Sequence, residues 1–124
     1  MPFTDAAKNS MLADVVGAAS PTVSITHLSI HTADPGATGA NEVSGGGYER
    51  ESVSNTDWGT PSEGEIELSA DHQFDGPSEE SATWFGAWDG STFLGRGQIT
   101  GDTAFNAAGE FTLKAGTKLA ITDA

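Results

Sequence analysis

The chain contains no cysteine and very few basic residues. The absence of cysteine from its 124 residues excludes a disulfide framework, a thiol nucleophile and a cysteine-ligated zinc site. Only 5 lysines and arginines stand against 18 aspartates and glutamates, which gives a formal net charge of −13. Such a surface repels phosphate groups, so we expect no binding to nucleic acid.

Long apolar runs are also missing. No stretch approaches the roughly 20 apolar residues that a membrane helix needs. The N-terminal part has one basic residue, Lys8, and no apolar run after it. We therefore expect no membrane insertion and no signal peptide. The length and an apolar share of 36% predict a single domain over residues 1–124.

The acidic residues are scattered along the chain and are not gathered in one tail. This distribution indicates a folded domain with a negative face. It is also typical of proteins adapted to high salt, where screening removes the repulsion between like charges. An ordinary acidic surface and a surface that faces a basic partner are the alternatives that the composition leaves open.

One helix is predicted, over residues 4–16. Thr4 can cap its N-terminus and Gly17 can end it. A helix of about 13 residues is marginal in isolation. We therefore expect its narrow apolar stripe to pack on a sheet or on another subunit. The stripe consists of Met11, Leu12, Val15 and Val16.

Beyond Pro21 the apolar period changes to two, which predicts strands. The strongest hairpin signal joins two of these segments through Asp89-Gly90, a favoured type I′ pair. Seven to nine short strands at this spacing predict an all-β fold, either a sandwich or a closed barrel. Of the two, we expect an antiparallel β-sandwich with one N-terminal helix. The predicted strands are 22–31, 48–54, 63–69, 72–74, 81–88, 91–100, 103–105, 110–114 and 118–122.

A long glycine-rich loop over residues 32–47 interrupts these strands. Loops of this length within a compact domain are usually functional or mobile. Asp34, Asn41 and Glu42 supply oxygen atoms that could ligate a divalent cation. Their spacing matches no known calcium loop, and Asp34 before Pro35 also suits a turn closed by the aspartate side chain. Divalent cations could also bind between the acidic surfaces of neighbouring subunits.

Catalytic patterns are missing from the sequence. No Gly-x-Ser-x-Gly motif positions a nucleophile. The run Gly45-Gly46-Gly47 is not followed by the lysine or the helix that a phosphate-binding loop needs. A chain this small offers little room for a cleft between paired carboxylates. We therefore expect no enzyme and no cofactor.

The aromatic residues allow a second kind of binding site. Exposed rings can stack on sugars while acidic side chains bind the hydroxyl groups. Trp58 and Tyr48 are the candidate glycan contacts. The alternative is that aromatic residues such as Trp84, Phe85 and Trp88, which alternate along a predicted strand, form the core.

The segment His31-Thr-Ala-Asp-Pro-Gly-Ala-Thr-Gly-Ala-Asn-Glu-Val-Ser-Gly-Gly-Gly-Tyr48 resembles a signature of small structural proteins from tailed viruses. These proteins are labelled tail fibre, minor tail or head decoration proteins. The likeness extends to Thr4–Leu12, Trp84–Gly95 and Phe111–Gly116, in the family's order. The chain departs from the family in its additional acidic residues, and with them it resembles a version from a virus of a halophilic archaeon.

The resemblance implies a non-enzymatic homo-oligomer in the virion, made in the host cytoplasm. Its expected partners are further copies of itself and other virion proteins such as the major capsid protein. The preferred role is a capsid surface decoration or turret component, with a tail or tail-fibre component close behind. A glycan-binding module for host attachment is the alternative. The predicted subunit contacts are Met11, Leu12, Val15, Val16, Gly45, Gly46 and Gly47, with the loop expected to be adaptable.

Overall fold

A computed structural model describes residues 3–18 and 23–120 and shows a mostly β chain with a short N-terminal helix. The helix α1 spans Asp5–Val15, and Asn55–Asp57 form one turn of 3₁₀ helix. Eight strands follow α1 within these ranges. The strands are β1 His27–His31, β2 Glu51–Ser52, β3 Glu65–Glu67, β4 His72–Asp75, β5 Trp84–Asp89, β6 Thr92–Gln98, β7 Glu110–Leu113 and β8 Lys118–Ala120.

The strands form one larger and two smaller antiparallel sheets. The larger sheet has the order β2-β1-β5-β6, while β3 pairs with β8 and β4 pairs with β7. The predicted all-β antiparallel fold with one N-terminal helix is confirmed. Most strands are shorter than predicted, and segment 103–105 forms only an isolated bridge between Ser81 and Ala104. Residue 22 of the first predicted strand and residues 121–122 of the last lie outside the described residues.

A single apolar core joins the three sheets. In β1, Leu28 and Ile30 lie opposite Ala87 and Phe85 of β5 on one face of the sheet. Rings from β4 and β7 belong to the same cluster, as Phe74 and Phe111 are paired and only 1% and 4% exposed. Burial of large apolar side chains such as these contributes about 2–3 kcal/mol each.

The opposite face of the larger sheet is also covered. Ser29 and His31 point to this face because they alternate with the core residues of β1, and both are 0% exposed. Trp88 of β5 is 6% exposed and lies on the same side. The loop over residues 32–47 covers these side chains, so the sheet has buried residues on both faces.

The β5–β6 hairpin closes one residue later than predicted. Asp89 pairs with Thr92, which leaves Gly90 and Ser91 as the two loop residues. Gly90 has a φ of +55°, and neither Asp89 nor Ser91 has a positive φ. A type I′ turn needs a positive φ at both loop residues, whereas glycine at the first loop position alone is typical of type II′. The type I′ prediction is therefore wrong.

Helix α1 lies against the outer edge of β6. The Thr4 side chain caps the helix, accepting a 3.5 Å hydrogen bond from the N–H of Ala7. The Thr4 N–H donates to the carbonyl of Leu94 at 2.8 Å, and Phe3 forms an isolated bridge with Gly95. The buried residues of the helix are Ala7 and Ser10. The helix therefore packs through small residues and covers part of an open sheet edge.

Candidate functional site

The loop over residues 32–47 is fastened to the sheet at several points. Val43, 4% exposed, donates its N–H to the carbonyl of Ile30 at 2.9 Å. The Arg96 guanidinium donates to the carbonyl of Gly36 at 2.7 Å. Gly39 has a φ of +81°, and an added Cβ there would lie 2.6 Å from the Trp88 ring. These contacts hold this part of the loop against buried side chains, while adaptable contacts of the loop with other subunits stay a prediction.

A buried network of hydrogen bonds lies beneath the loop. Trp88 Nε1–H donates to Ser29 Oγ at 2.7 Å, and Ser29 Oγ lies 2.6 Å from His31 Nε2. The Ala40 carbonyl can only accept, so His31 Nδ1 carries the ring proton; Nε2 of the neutral ring then accepts from Ser29 Oγ–H, and Ser29 Oγ accepts from the indole. The network therefore assigns the ring proton to His31 Nδ1, which donates to the carbonyl of Ala40 at 2.7 Å.

This hydrogen-bond network favours the neutral form of His31. Burial is the largest influence and lowers the pKa of His31. The hydrogen bond to Ala40 and the charge of Glu42 act in the opposite direction, while Arg50 adds to the lowering. Because one ring nitrogen donates and the other accepts, the neutral ring satisfies both partners. His31 thus has a structural position in the fold.

An ion pair joins the end of the loop to the residues that follow it. Arg50 donates to both carboxylate oxygens of Glu42, at 3.0 and 2.9 Å, in the two-bond geometry that favours guanidinium–carboxylate pairs. The guanidinium carbon lies 3.5 Å from the centroid of the Trp88 ring. Through Arg50, Glu42 is thus linked to Trp88, the residue that donates to Ser29 in the buried network.

Tyr48 completes this arrangement. Its hydroxyl donates to Glu42 at 2.8 Å and accepts from the N–H of Ile30 at 2.9 Å. Burial raises the pKa of Glu42, but the hydrogen bonds from Arg50 and Tyr48 outweigh it and leave that pKa below 4.5. Burial raises the pKa of Tyr48 itself. Sequence reasoning missed this network, because no local pattern connects Arg50 with Trp88.

The candidate cation ligands have other partners. Asp34 pairs with Arg96 at 2.9 Å and accepts the N–H of Gly36 at 2.9 Å, the turn contact weighed as the alternative. Glu42 pairs with Arg50, and the Asn41 amide donates to the carbonyl of Asp34 at 3.0 Å. The described residues contain no group of three acidic or histidine side chains arranged for a metal ion. Cation binding stays a prediction.

The two candidate glycan contacts are both partly buried. The ring of Tyr48 stacks on Phe74 with 6.3 Å between centroids, and its hydroxyl is engaged by Glu42 and Ile30. Trp58 packs against the main core and forms an isolated bridge with Leu68. Both residues therefore contribute to packing, and a role in glycan binding stays a prediction.

The glycine run of the loop forms an exposed tip. Gly45, Gly46 and Gly47 all have positive φ values, between +61° and +88°, which favour glycine. Gly46 lies against the main chain of Gly76 and Pro77, whereas a side chain at Gly47 would meet nothing within 4 Å. The tip is thus accessible on one side and supported on the other, and its role as a subunit contact stays a prediction.

Three of the four residues in the apolar stripe of α1 are exposed. Leu12, Val15 and Val16 are 63%, 80% and 74% exposed, and they are the exposed large hydrophobic residues of the described chain. Met11 is half-buried beside Phe3 and Leu94. Packing on the sheet, one of the two alternatives raised by the sequence, is therefore wrong for Leu12, Val15 and Val16. The helix, 11 residues long, is too short to cross a membrane.

Comparison with known proteins identifies the family. No curated protein matches the chain. Residues 2–122, nearly the whole sequence, match the family described as Podophage GP4 fiber I protein gp80. This match agrees with the resemblance carried by the segment from His31 to Tyr48. The chain belongs to this family of phage fibre proteins and is a tail-fibre-like structural component of a tailed-phage virion.

Proposed function

We propose that the chain is a non-catalytic assembly subunit of the phage tail fibre. In this role α1 docks on another virion protein, while the fastened loop is presented on a different part of the subunit. The fibre description of the family supports the tail over the capsid surface or turret position preferred from the sequence. The buried polar groups of β1 and β5 beneath the loop are hydrogen-bonded to one another, which supports a structural role for them.

The observation that carries the proposal is the exposed stripe on α1. Leu12, Val15 and Val16 lie together on a chain with a net charge of −13, where exposed large apolar side chains are otherwise missing from the described residues. Apolar residues gathered in this way mark interaction sites on soluble proteins. Since α1 packs on β6 through Ala7 and Ser10, the stripe is available to a partner.

Replacing Val15 and Val16 by aspartate tests this docking surface. Two charges in an apolar contact oppose burial, so we expect Val15→Asp/Val16→Asp to remain folded and to be lost from assembled particles. The measurement is the amount of subunit in purified phage particles, determined by quantitative mass spectrometry, with circular dichroism of the free protein as the check on folding.

A matched control adds the same charge elsewhere. Ser69 and Ala70 are adjacent exposed residues in the turn between β3 and β4, so Ser69→Asp/Ala70→Asp also adds two negative charges. We expect this variant to be incorporated at the wild-type level. Equal incorporation of both variants would rule out docking through α1. Electron microscopy of tagged particles then locates the subunit on the tail or on the head.

A further inference from the structure

A small apolar hollow lies between α1 and β6, beside the exposed stripe of the helix. It has a volume of about 170 Å³. Met11 lines the hollow and lies one helical turn from Val15, so the hollow and the stripe are neighbours on one surface. The apolar residues that line it are Phe3, Ala7, Met11, Val23, Ile25 and Leu94.

The rim of this hollow is acidic. Asp14 is the charged residue among those that line it, and none of the described lining residues is basic. Ser24, also in the lining, donates its N–H to Asp89 at 3.3 Å, which brings a second carboxylate close to the rim. Neither Asp14 nor Asp89 forms an ion pair with a basic residue in 3–18 or 23–120.

Asp14 lies at the end of α1 where a negative charge is unfavourable. The helix ends at Val15, and its last turn contains no basic residue. Because the C-terminus of a helix carries the negative end of the helix dipole, it repels a carboxylate and attracts a cation. The free chain therefore has an uncompensated negative potential directly beside an apolar hollow. A cationic side chain of a bound partner would neutralise this potential.

We propose that α1 docks on a basic protein surface, which places one large apolar side chain in the hollow and pairs an adjacent lysine or arginine with Asp14. An apolar anchor held in a pocket is typical of the residues that dominate binding energy. This inference rests on the proposed docking through α1 and specifies the chemistry of the partner.

Charge complementarity selects this kind of partner over a second copy of the chain. A second copy carries the same net charge of −13 and is repelled at long range. A basic surface is attracted at long range, and its cation also meets the acidic rim in the bound state. The partner therefore combines an apolar side chain with a neighbouring base.

Asp14→Lys tests the charge pair. We expect about tenfold less of this variant than of the wild type in purified particles, because it places like charges opposite one another. The free variant should melt at the wild-type temperature or above it, since a cation suits this end of the helix. Asp102→Lys is the matched control, because it makes the same change in net charge at an exposed residue outside the hollow. We expect this control to be incorporated at the wild-type level.

Met11→Trp tests the hollow. The larger ring fills the space while Leu12, Val15 and Val16 stay unchanged, so we expect this variant to fold and to be incorporated about tenfold less than the wild type. Met11→Leu keeps the volume of the side chain, and we expect it to be incorporated normally. Ser24→Trp fills the hollow from the opposite side and replaces Met11→Trp if circular dichroism shows that the latter does not fold.

Two results overturn the proposal: normal incorporation of a folded variant whose hollow is filled, or equal incorporation of Asp14→Lys and Asp102→Lys. Both are distinguishable from failure of the docking itself. Normal incorporation of Val15→Asp/Val16→Asp contradicts docking through α1. Loss of that variant, together with retention of Asp14→Lys and of the filled variants, supports docking and contradicts the basic partner with an apolar anchor.

Discussion

At the scale of single residues, Gly86 shows how closely the buried hydrogen-bond network is packed. An added Cβ at this position would lie 2.5 Å from Ser29 Oγ and 2.9 Å from both His31 Nε2 and the Phe93 ring. Gly86 does not have a positive φ, so the requirement for glycine here is one of space. Because Gly86 has no side chain, Ser29, His31 and Phe93 can all pack against the main chain of β5 at this position.

We expect Gly86→Ala to lower the free energy of unfolding by about 2 kcal/mol, as overpacking of a core typically does. Gly59→Ala is the matched control, because its Cβ would lie 3.6 Å from the Glu67 carbonyl, an ordinary contact, and Gly59 also lacks a positive φ. Urea unfolding of both variants measures the difference. Equal stability of the two would show that the packing around Gly86 yields readily.

Residue positions could be predicted from the sequence only where the neighbours are local. The cap at Thr4 and the turn at Asp34 follow from side chains that reach their own main chain. The pairing of Arg50 with Trp88 could not be predicted, since it depends on how β2 and β5 both align with β1. The same holds for Ser29 and Trp88, whose bond joins residues 59 positions apart.

At the scale of elements, the loop over residues 32–47 and the sheet beneath it depend on a neutral histidine. Protonated His31 would carry a proton on Nε2, so the buried Ser29 hydroxyl would lose the acceptor of its own proton. The charged groups near His31 are Glu42 and Arg50, which act in opposite directions. Protonation of His31 therefore disrupts the hydrogen-bond network that holds the loop on the sheet.

Stability is expected to fall as the solution becomes acidic. The pKa of His31 is lower in the folded protein than its ordinary value of 6.5, so the unfolded chain binds more protons below that value. The stabilisation is complete above pH 6.5 and is lost as the pH falls towards the folded pKa. Glu42, whose folded pKa is also lowered, contributes a further loss below pH 4.5.

Urea unfolding at pH 7.5 and 5.5 checks the first of these windows. We expect the wild type to be less stable at pH 5.5 and His31→Gln to show a smaller difference between the two pH values. Hydrogen exchange, corrected for the slower intrinsic rate at low pH, should report lower protection factors in the loop at pH 5.5. An identical pH dependence in the wild type and His31→Gln would assign the effect to other groups.

The elements themselves could largely be predicted from the sequence. Alternation of apolar residues marked most of the strands, and the cap and stop residues marked α1. The helix stripe was recognised, but not its direction, since Ala7 and Ser10 pack on the sheet and Leu12 remains exposed. The hydrophobic pattern did not predict this orientation of the helix. Ala7 and Ser10 are small, and they pack on β6 through close backbone contacts that such a pattern does not reflect.

At the scale of the whole molecule, charge is the dominant property. The two arginines are committed to Glu42 and Asp34 within the fold. Most of the 18 acidic residues are therefore left to repel one another. The screening length falls from about 10 Å at 0.1 M salt to about 3 Å at 1 M. Salt should thus stabilise the folded chain.

We expect the melting temperature to rise by several degrees between 0.1 and 1 M KCl, with NaCl giving the same result, because screening does not distinguish the two cations. Differential scanning fluorimetry provides the measurement. A continued rise above 1 M would support the proposed halophilic origin. A melting temperature independent of salt would contradict both the repulsion and that origin.

Membership of the fibre family was anticipated from the sequence because the family resemblance covers most of the chain.

The position of α1 on β6 has a consequence for growth of the sheet. Its contacts with Leu94 and Gly95 occupy part of one outer edge of the four-stranded sheet, and the other outer strand, β2, has only two residues. Short or covered edges are how natural β proteins avoid endless strand addition. The protein is thereby hindered from polymerising through this sheet into amyloid-like aggregates.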